Sequence, residues 1–107
     1  MKRLFISHPY RDEKIYKINQ NIQNARKFAM KYWLQGYNVY CPHLNTAFMD
    51  DLLPDKIWLE AHLDWLKLCD VIVMCGSWRY SIGCTEEHDL AMSLKQRIIY
   101  DDILMEV

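Results

Sequence analysis

Apolar residues fall into short runs and into faces along this chain, and the two kinds alternate. Leu4-Phe5-Ile6 is a short apolar run that breaks at Pro9, which predicts a first strand. Residues 12–35 then follow a helical period. Ile18, Ile22, Ala25, Ala29 and Trp33 recur every three or four positions on one face, with Lys17, Asn21, Asn24, Lys27 and Lys31 opposite. Gly36 is placed to stop that helix with a positive φ. Tyr37-Asn38-Val39-Tyr40 is rich in β-formers and ends before Pro42, so it reads as a second strand. Residues 42–53 show no period and read as a loop. A second helix is expected over residues 54–68, with Pro54 near its first turn, Asp55 at its positive end, and Ile57, Trp58, Ala61, Trp65 and Leu68 as its apolar face. Val71-Ile72-Val73-Met74-Cys75 is a continuous apolar run, the pattern of a strand buried on both faces. A third helix is expected over residues 85–94, with Leu90, Ala91 and Leu94 turned inward, and a fourth strand over residues 97–100. Residues 101–107 fit neither pattern.

Four strands and three helices thus alternate, β-α-β-α-β-α-β. That order predicts a three-layer, flavodoxin- or Rossmann-like parallel sheet of four to five strands with helices on both faces. The chain has 107 residues, so a single domain spanning 1–107 is expected, and 51% hydrophobic residues suit one packed core. The loops leaving the strands' carboxyl ends gather on one edge, where ligands bind in open α/β sheets.

Charge and cysteines narrow the partners. The formal net charge is −1 with acids and bases interspersed, so there is no basic stripe for duplex nucleic acid. The apolar run at the N-terminus is too short for a secretory signal, and no stretch approaches a membrane span. A cytoplasmic protein is expected, and Cys41, Cys69, Cys75 and Cys84 read as small apolar residues without a C-x-x-C pair. His8, His43, His62 and His88 lack metal-ligand spacing, so neither a metal nor another cofactor is expected.

The residues that could carry chemistry lie on the loop edge. Ser81-Ile82-Gly83-Cys84-Thr85-Glu86-Glu87 follows the third strand and opens the third helix. Gly83 lets a ligand approach backbone closely, and the helix start offers unpaired N–H groups to an anion. Glu87, about one turn in, is expected to stay ionised in the helix field, as a carboxylate nucleophile requires. Glu86 and Glu87 can equally be acids that complement the helix dipole. In the first loop, Arg11 is either a phosphate fork or a solvated surface arginine, and Tyr10 either stacks on a base or caps the core. Trp58 and Trp65, seven apart, read as core or interface packing.

Taken together, Phe5-Ile6-Ser7-His8-Pro9-Tyr10, Asn21-Ile22-Gln23-Asn24-Ala25-Arg26, Cys41-Pro42-His43-Leu44-Asn45-Thr46, Cys69-Asp70-Val71-Ile72-Val73, and Trp78 with Ser81-x-Gly83-x-x-x-Glu87 resemble the nucleoside 2-deoxyribosyltransferase-like superfamily. The nearest likeness is to its small bacterial and phage domains and to the 2′-deoxynucleoside 5′-phosphate N-hydrolases. The resemblance implies cleavage or exchange of the base–deoxyribose bond through a covalent glycosyl intermediate on Glu87, the logic of a retaining glycosidase. It implies that Ser81, Gly83 and Arg11 meet a 5′-phosphate, and that Ser7, His8, Tyr10, His43 and Asn45 complete a substrate site. His62 stands where the family has an aspartate that assists the leaving base, and Phe5 stands where a tyrosine is common. The family's glycine in the first loop is His8 here. A nucleotide or nucleoside substrate and a homodimer or higher homo-oligomer are the expected partners. A non-catalytic nucleotide-binding module on the same fold, and an interaction scaffold built on the aromatic second helix, are the competing readings.

Overall fold

The computed structural model describes residues 1–102. Four parallel strands form the sheet: β1 (Arg3–Ser7), β2 (Asn38–Tyr40), β3 (Val71–Cys75) and β4 (Arg97–Asp101), in the order β2-β1-β3-β4. Leu4 pairs with both Val39 and Val71, and Val71 with Arg97, so one register runs across the sheet. This is the expected α/β architecture, with four strands. All five residues of β3 are buried, as befits a central strand in a parallel sheet.

Alternation along β1 and β3 sorts the core into two layers. Leu4, Ile6, Val71, Val73 and Cys75 face α1 (Ile15–Trp33) and meet Ala25, Phe28, Ala29 and Tyr32. Phe5, Ile72 and Met74 face the other way and meet Leu66, Cys84, Ala91 and Trp78 from α3 (Asp55–Leu66), α4 (Ile82–Ser93) and the 3-10 turn Trp78–Tyr80. Each fully buried aliphatic or aromatic side chain of this kind is worth about 1.5–3 kcal/mol of transfer free energy. Polar ties close the far edge. Lys31 Nζ and the Tyr32 hydroxyl both donate to Asp101 Oδ2 at 2.6 Å, joining β4 to α1. Gln96 Nε2 donates to the carbonyls of Leu66 and Cys69 at 2.8 Å each, satisfying the end of α3. All four cysteines are free and buried.

Several local expectations change. The first helix begins at Ile15, and its inward face is Ile22, Ala25, Phe28, Ala29 and Tyr32, while Trp33 is half exposed. Gly36 does adopt a positive φ of 93°, just past the helix end. Within residues 42–53, expected as loop, Pro42–Thr46 form a short helix, α2, with Pro42 in its first turn. The inward side of α3 is Trp58, Leu59, His62, Leu63 and Leu66; of the expected apolar face only Trp58 is half-buried, while Ile57, Ala61 and Trp65 lie on the outside and Leu68 lies past the helix end. Both stripes of α3 are apolar, so periodicity alone cannot choose between them. The last helix starts three residues earlier than expected because Ser81 caps it: the Cys84 N–H donates to Ser81 Oγ at 3.2 Å. Its buried residues are Cys84, Glu87 and Ala91, and Leu94 is exposed. Strand β4 takes in Asp101; residues 103–107 of the ambiguous tail lie outside the described residues.

Candidate functional site

Strands β1 and β3 are neighbours, and their following segments leave on opposite faces of the sheet, α1 on one side and α4 on the other. This is a topological switch point, where the diverging connections leave a crevice. A cleft of about 870 Å³ occupies it, a size suited to a small organic ligand. His8, Tyr10, Arg11, His43, His62, Ser81, Gly83 and Glu87 all line it. The structure therefore brings eight of the ten expected site residues to one cavity. Ser7 sits at the carboxyl end of β1, just beneath the floor. Asn45 is the exception: it lines a shallower groove with Trp33, Leu44 and Trp65 and donates from Nδ2 to the Tyr40 hydroxyl at 3.1 Å.

Glu87 forms the floor. It is only 7% exposed, and Ser7 Oγ donates to its Oε1 at 2.7 Å, joining α4 to the end of β1. Burial pushes its carboxyl up to about 8, against a smaller downward pull from the Ser7 hydroxyl. The expectation that the helix field keeps Glu87 ionised is therefore corrected. With Ser81 as cap, Glu87 lies in the second turn, where the helix field has decayed, and desolvation dominates. At neutral pH the side chain is mostly the neutral acid. Cys84 sits beside it, a thiol that burial pushes up to about 12 and that stays unreactive.

The walls are held by hydrogen bonds whose directions fix the histidine tautomers. The Pro9 carbonyl accepts from both His8 Nδ1–H, at 2.8 Å, and His43 Nε2–H, at 2.9 Å. The two rings meet edge to face at 5.6 Å, and Tyr10 adds its ring to His43 at 5.1 Å. Burial lowers both histidines, His43 to about 4, so they are neutral. His62 is likewise lowered by burial. Thr46 Oγ1 donates to the Pro42 carbonyl at 3.2 Å, so it accepts from His62 Nε2–H at 3.3 Å. The Tyr40 hydroxyl accepts from Asn45 and in turn donates to His62 Nδ1 at 3.3 Å. Both ring nitrogens of His62 are thereby engaged.

The rim is polar. Arg11 pairs through Nη2 with Asp55 and through Nη1, at 3.8 Å, with Asp50. The Tyr10 hydroxyl donates to Asp50 Oδ1 at 2.6 Å and accepts the Phe48 N–H at 3.1 Å. Ser81 Oγ already accepts one backbone N–H as a cap. Gly83 lies in the first turn of α4, where an added Cβ would meet nothing nearer than Ser81 Oγ at 4.0 Å. Sequence reasoning missed Thr46, Asp50 and Trp58 as cleft residues and treated Asp55 only as a helix-dipole acid. Only Pro42, favourable at a helix start, hinted that residues 42–46 were ordered. No group of three or more His, Cys, Asp or Glu side chains among the described residues is arranged to hold a metal. No described helix is long and apolar enough to cross a membrane.

A doubly wound α/β domain with its cleft at the β1/β3 switch point is thus the class that fold and site define. The family described as Domain of unknown function (DUF7768) matches residues 2–101, and the chain belongs to it. No curated protein matches the chain.

Proposed function

We propose that the cleft binds a 2′-deoxynucleoside 5′-monophosphate and that Glu87 cleaves its N-glycosidic bond. The observation that carries this reading is the buried Glu87 carboxyl on the floor of the cleft, hydrogen-bonded to Ser7 at 2.7 Å and sharing that cavity with Ser81, Gly83 and Arg11. In the reaction, ionised Glu87 attacks C1′ of the sugar as the C1′–N bond breaks and the electron pair leaves with the base, which takes up a proton. Water then attacks C1′, the Glu87–sugar ester breaks, and deoxyribose 5-phosphate departs; a second base in place of water gives transfer. Glu87 must lose its proton before it attacks, so base release rises with pH towards about 8. The resemblance of the loop residues to the nucleoside 2-deoxyribosyltransferase-like superfamily favours the same chemistry. His62, neutral and held through both nitrogens, orients the wall and is not a free acid.

That same neutrality favours a second reading, a nucleotide-binding module without turnover. At pH 7 the floor and walls hold a neutral carboxyl and three neutral histidines, a site that binds without a charged acid or base. Ile57 and Trp65 on the outside of α3, with Leu68 just past its end, support self-association under either reading. The discriminating experiment incubates the protein with the deoxynucleoside 5′-monophosphates and measures free base by chromatography, with Glu87→Ala as control. Base release that disappears in the variant supports the enzyme. Thermal stabilisation by a nucleotide with no base release supports the binder.

A further inference from the structure

Arg11 is the cation expected to meet a ligand's phosphate, yet its guanidinium already faces two carboxylates from other parts of the chain. Asp55 opens α3 and Asp50 lies in the segment of residues 47–54 that leads to it. The same Asp50 accepts from the Tyr10 hydroxyl at 2.6 Å, and Tyr10 in turn holds the Phe48 N–H at 3.1 Å. Residues 10 and 11 of the first loop therefore grip the segment from one side. A further tether is the Met49 N–H, which donates to the Thr46 carbonyl at 3.2 Å. Phe48, Leu52 and Leu53 are exposed, with Phe48 at 63%, so the segment has no apolar foot in the core. Phe48 also has φ of 60°, a left-handed conformation that a bulky residue adopts only when its surroundings impose it.

We infer that Asp50 and Asp55 form an internal carboxylate clasp on Arg11, which an anionic ligand must displace, and whose opening releases residues 47–54 from the rim of the cleft. The inference rests on the proposed role of Arg11 as the phosphate contact and adds its regulation. A planar guanidinium fork takes a carboxylate and a phosphate oxygen in the same geometry, so the two compete for one set of N–H donors. Arg11 and Asp55 are both largely exposed, at 57% and 69%, so the clasp is weak enough to exchange. Without a ligand the two carboxylates occupy the Arg11 guanidinium, and a phosphate dianion takes their place on it.

The test measures binding of inorganic phosphate at fixed ionic strength to the full chain, the Asp50→Asn/Asp55→Asn double variant and Arg11→Gln, with amide hydrogen exchange of residues 47–54 read in parallel. The asparagines keep an acceptor for Tyr10, and melting curves check that each variant is folded. The double variant is expected to bind phosphate about three- to tenfold more tightly than the parent chain, the scale of an exposed ion pair removed from competition. Arg11→Gln is expected to lose phosphate binding and to speed exchange at residues 47–54 without ligand; phosphate is expected to do the same to the parent chain. Equal or weaker phosphate affinity in the double variant overturns the clasp. Absence of phosphate binding in both the parent chain and the double variant overturns it too. Base release from deoxynucleosides that lack a phosphate then shows whether the glycosidase reading survives on its own.

Discussion

Glu87 and Asp55, two carboxylates of the cleft, differ in partner and in access to water. At the floor, Glu87 meets a single neutral donor, Ser7, and is almost wholly buried. At the rim, Asp55 meets a full cation, Arg11, and both stay exposed. The rim has the stronger formal partner and the weaker consequence. Solvent screens the Arg11–Asp55 pair, which is worth at most about 1 kcal/mol. The floor, with no counter-charge, has its carboxyl pushed up to about 8 because desolvation outweighs one hydroxyl bond. Burial, and not a nearby charge, gives Glu87 its unusual chemistry.

The sharpest way to break that comparison is to remove the floor group. Glu87→Gln keeps the shape and an acceptor for Ser7, and is expected to lower base release from a deoxynucleoside 5′-monophosphate on the order of 10⁴-fold, read by chromatography under single-turnover conditions. Retained release would assign the chemistry elsewhere in the cleft. The corresponding loss for Arg11→Gln is expected in substrate affinity rather than in turnover.

The next effect is on stability against pH, followed by urea midpoints. Glu87 binds its proton more tightly folded than unfolded, so its contribution is fully present below about pH 4.5 and is lost as pH rises to about 8. His43 is shifted the other way, to about 4, so its contribution is present above about pH 6.5 and is lost as pH falls towards 4. His8 and His62 act with His43. Stability is expected to peak in mildly acidic solution and to fall by a few kcal/mol on the alkaline side. Glu87→Gln flattens the alkaline limb and steepens the rise between about pH 4.5 and 6.5, where Glu87 otherwise offsets the histidines; an unchanged alkaline limb would mean that Glu87 is not the group responsible.

Smaller again is Ser7→Ala. It strips the buried carboxyl of its donor, at a cost of about 1–3 kcal/mol in chemical denaturation. It also raises the pH at which Glu87 titrates, since the Ser7 bond is the downward pull on that group. A variant with parent stability and parent pH dependence would show that the 2.7 Å contact contributes nothing.

Much of this arrangement is legible in the residues. The apolar run 71–75 and the short run 4–6 predict the central strands, and the strand–helix alternation predicts the parallel sheet and the edge on which the site lies. Ser81, Gly83, Glu87 and the first loop are found where that edge requires them. What the sequence conceals has physical causes. Helix α2 is five residues long, too short to show a period. Helix α3 is apolar on two stripes and its tryptophans divide between them, Trp58 half-buried at the cleft and Trp65, at 51% exposure, turned out. The protonation state of Glu87 depends on its burial beside the carboxyl end of β1, which a local reading of the helix dipole omits. The partners of Arg11 lie 39 and 44 positions away along the chain, beyond any local pattern.

The most direct measurement is a carbon-13 NMR titration of the Glu87 carboxyl in the free protein, with Glu87→Gln to assign the signal. A midpoint near 8 is the predicted result. A midpoint near the ordinary glutamate value of about 4.3 would place that carboxyl in water and contradict a cleft built around a buried acid.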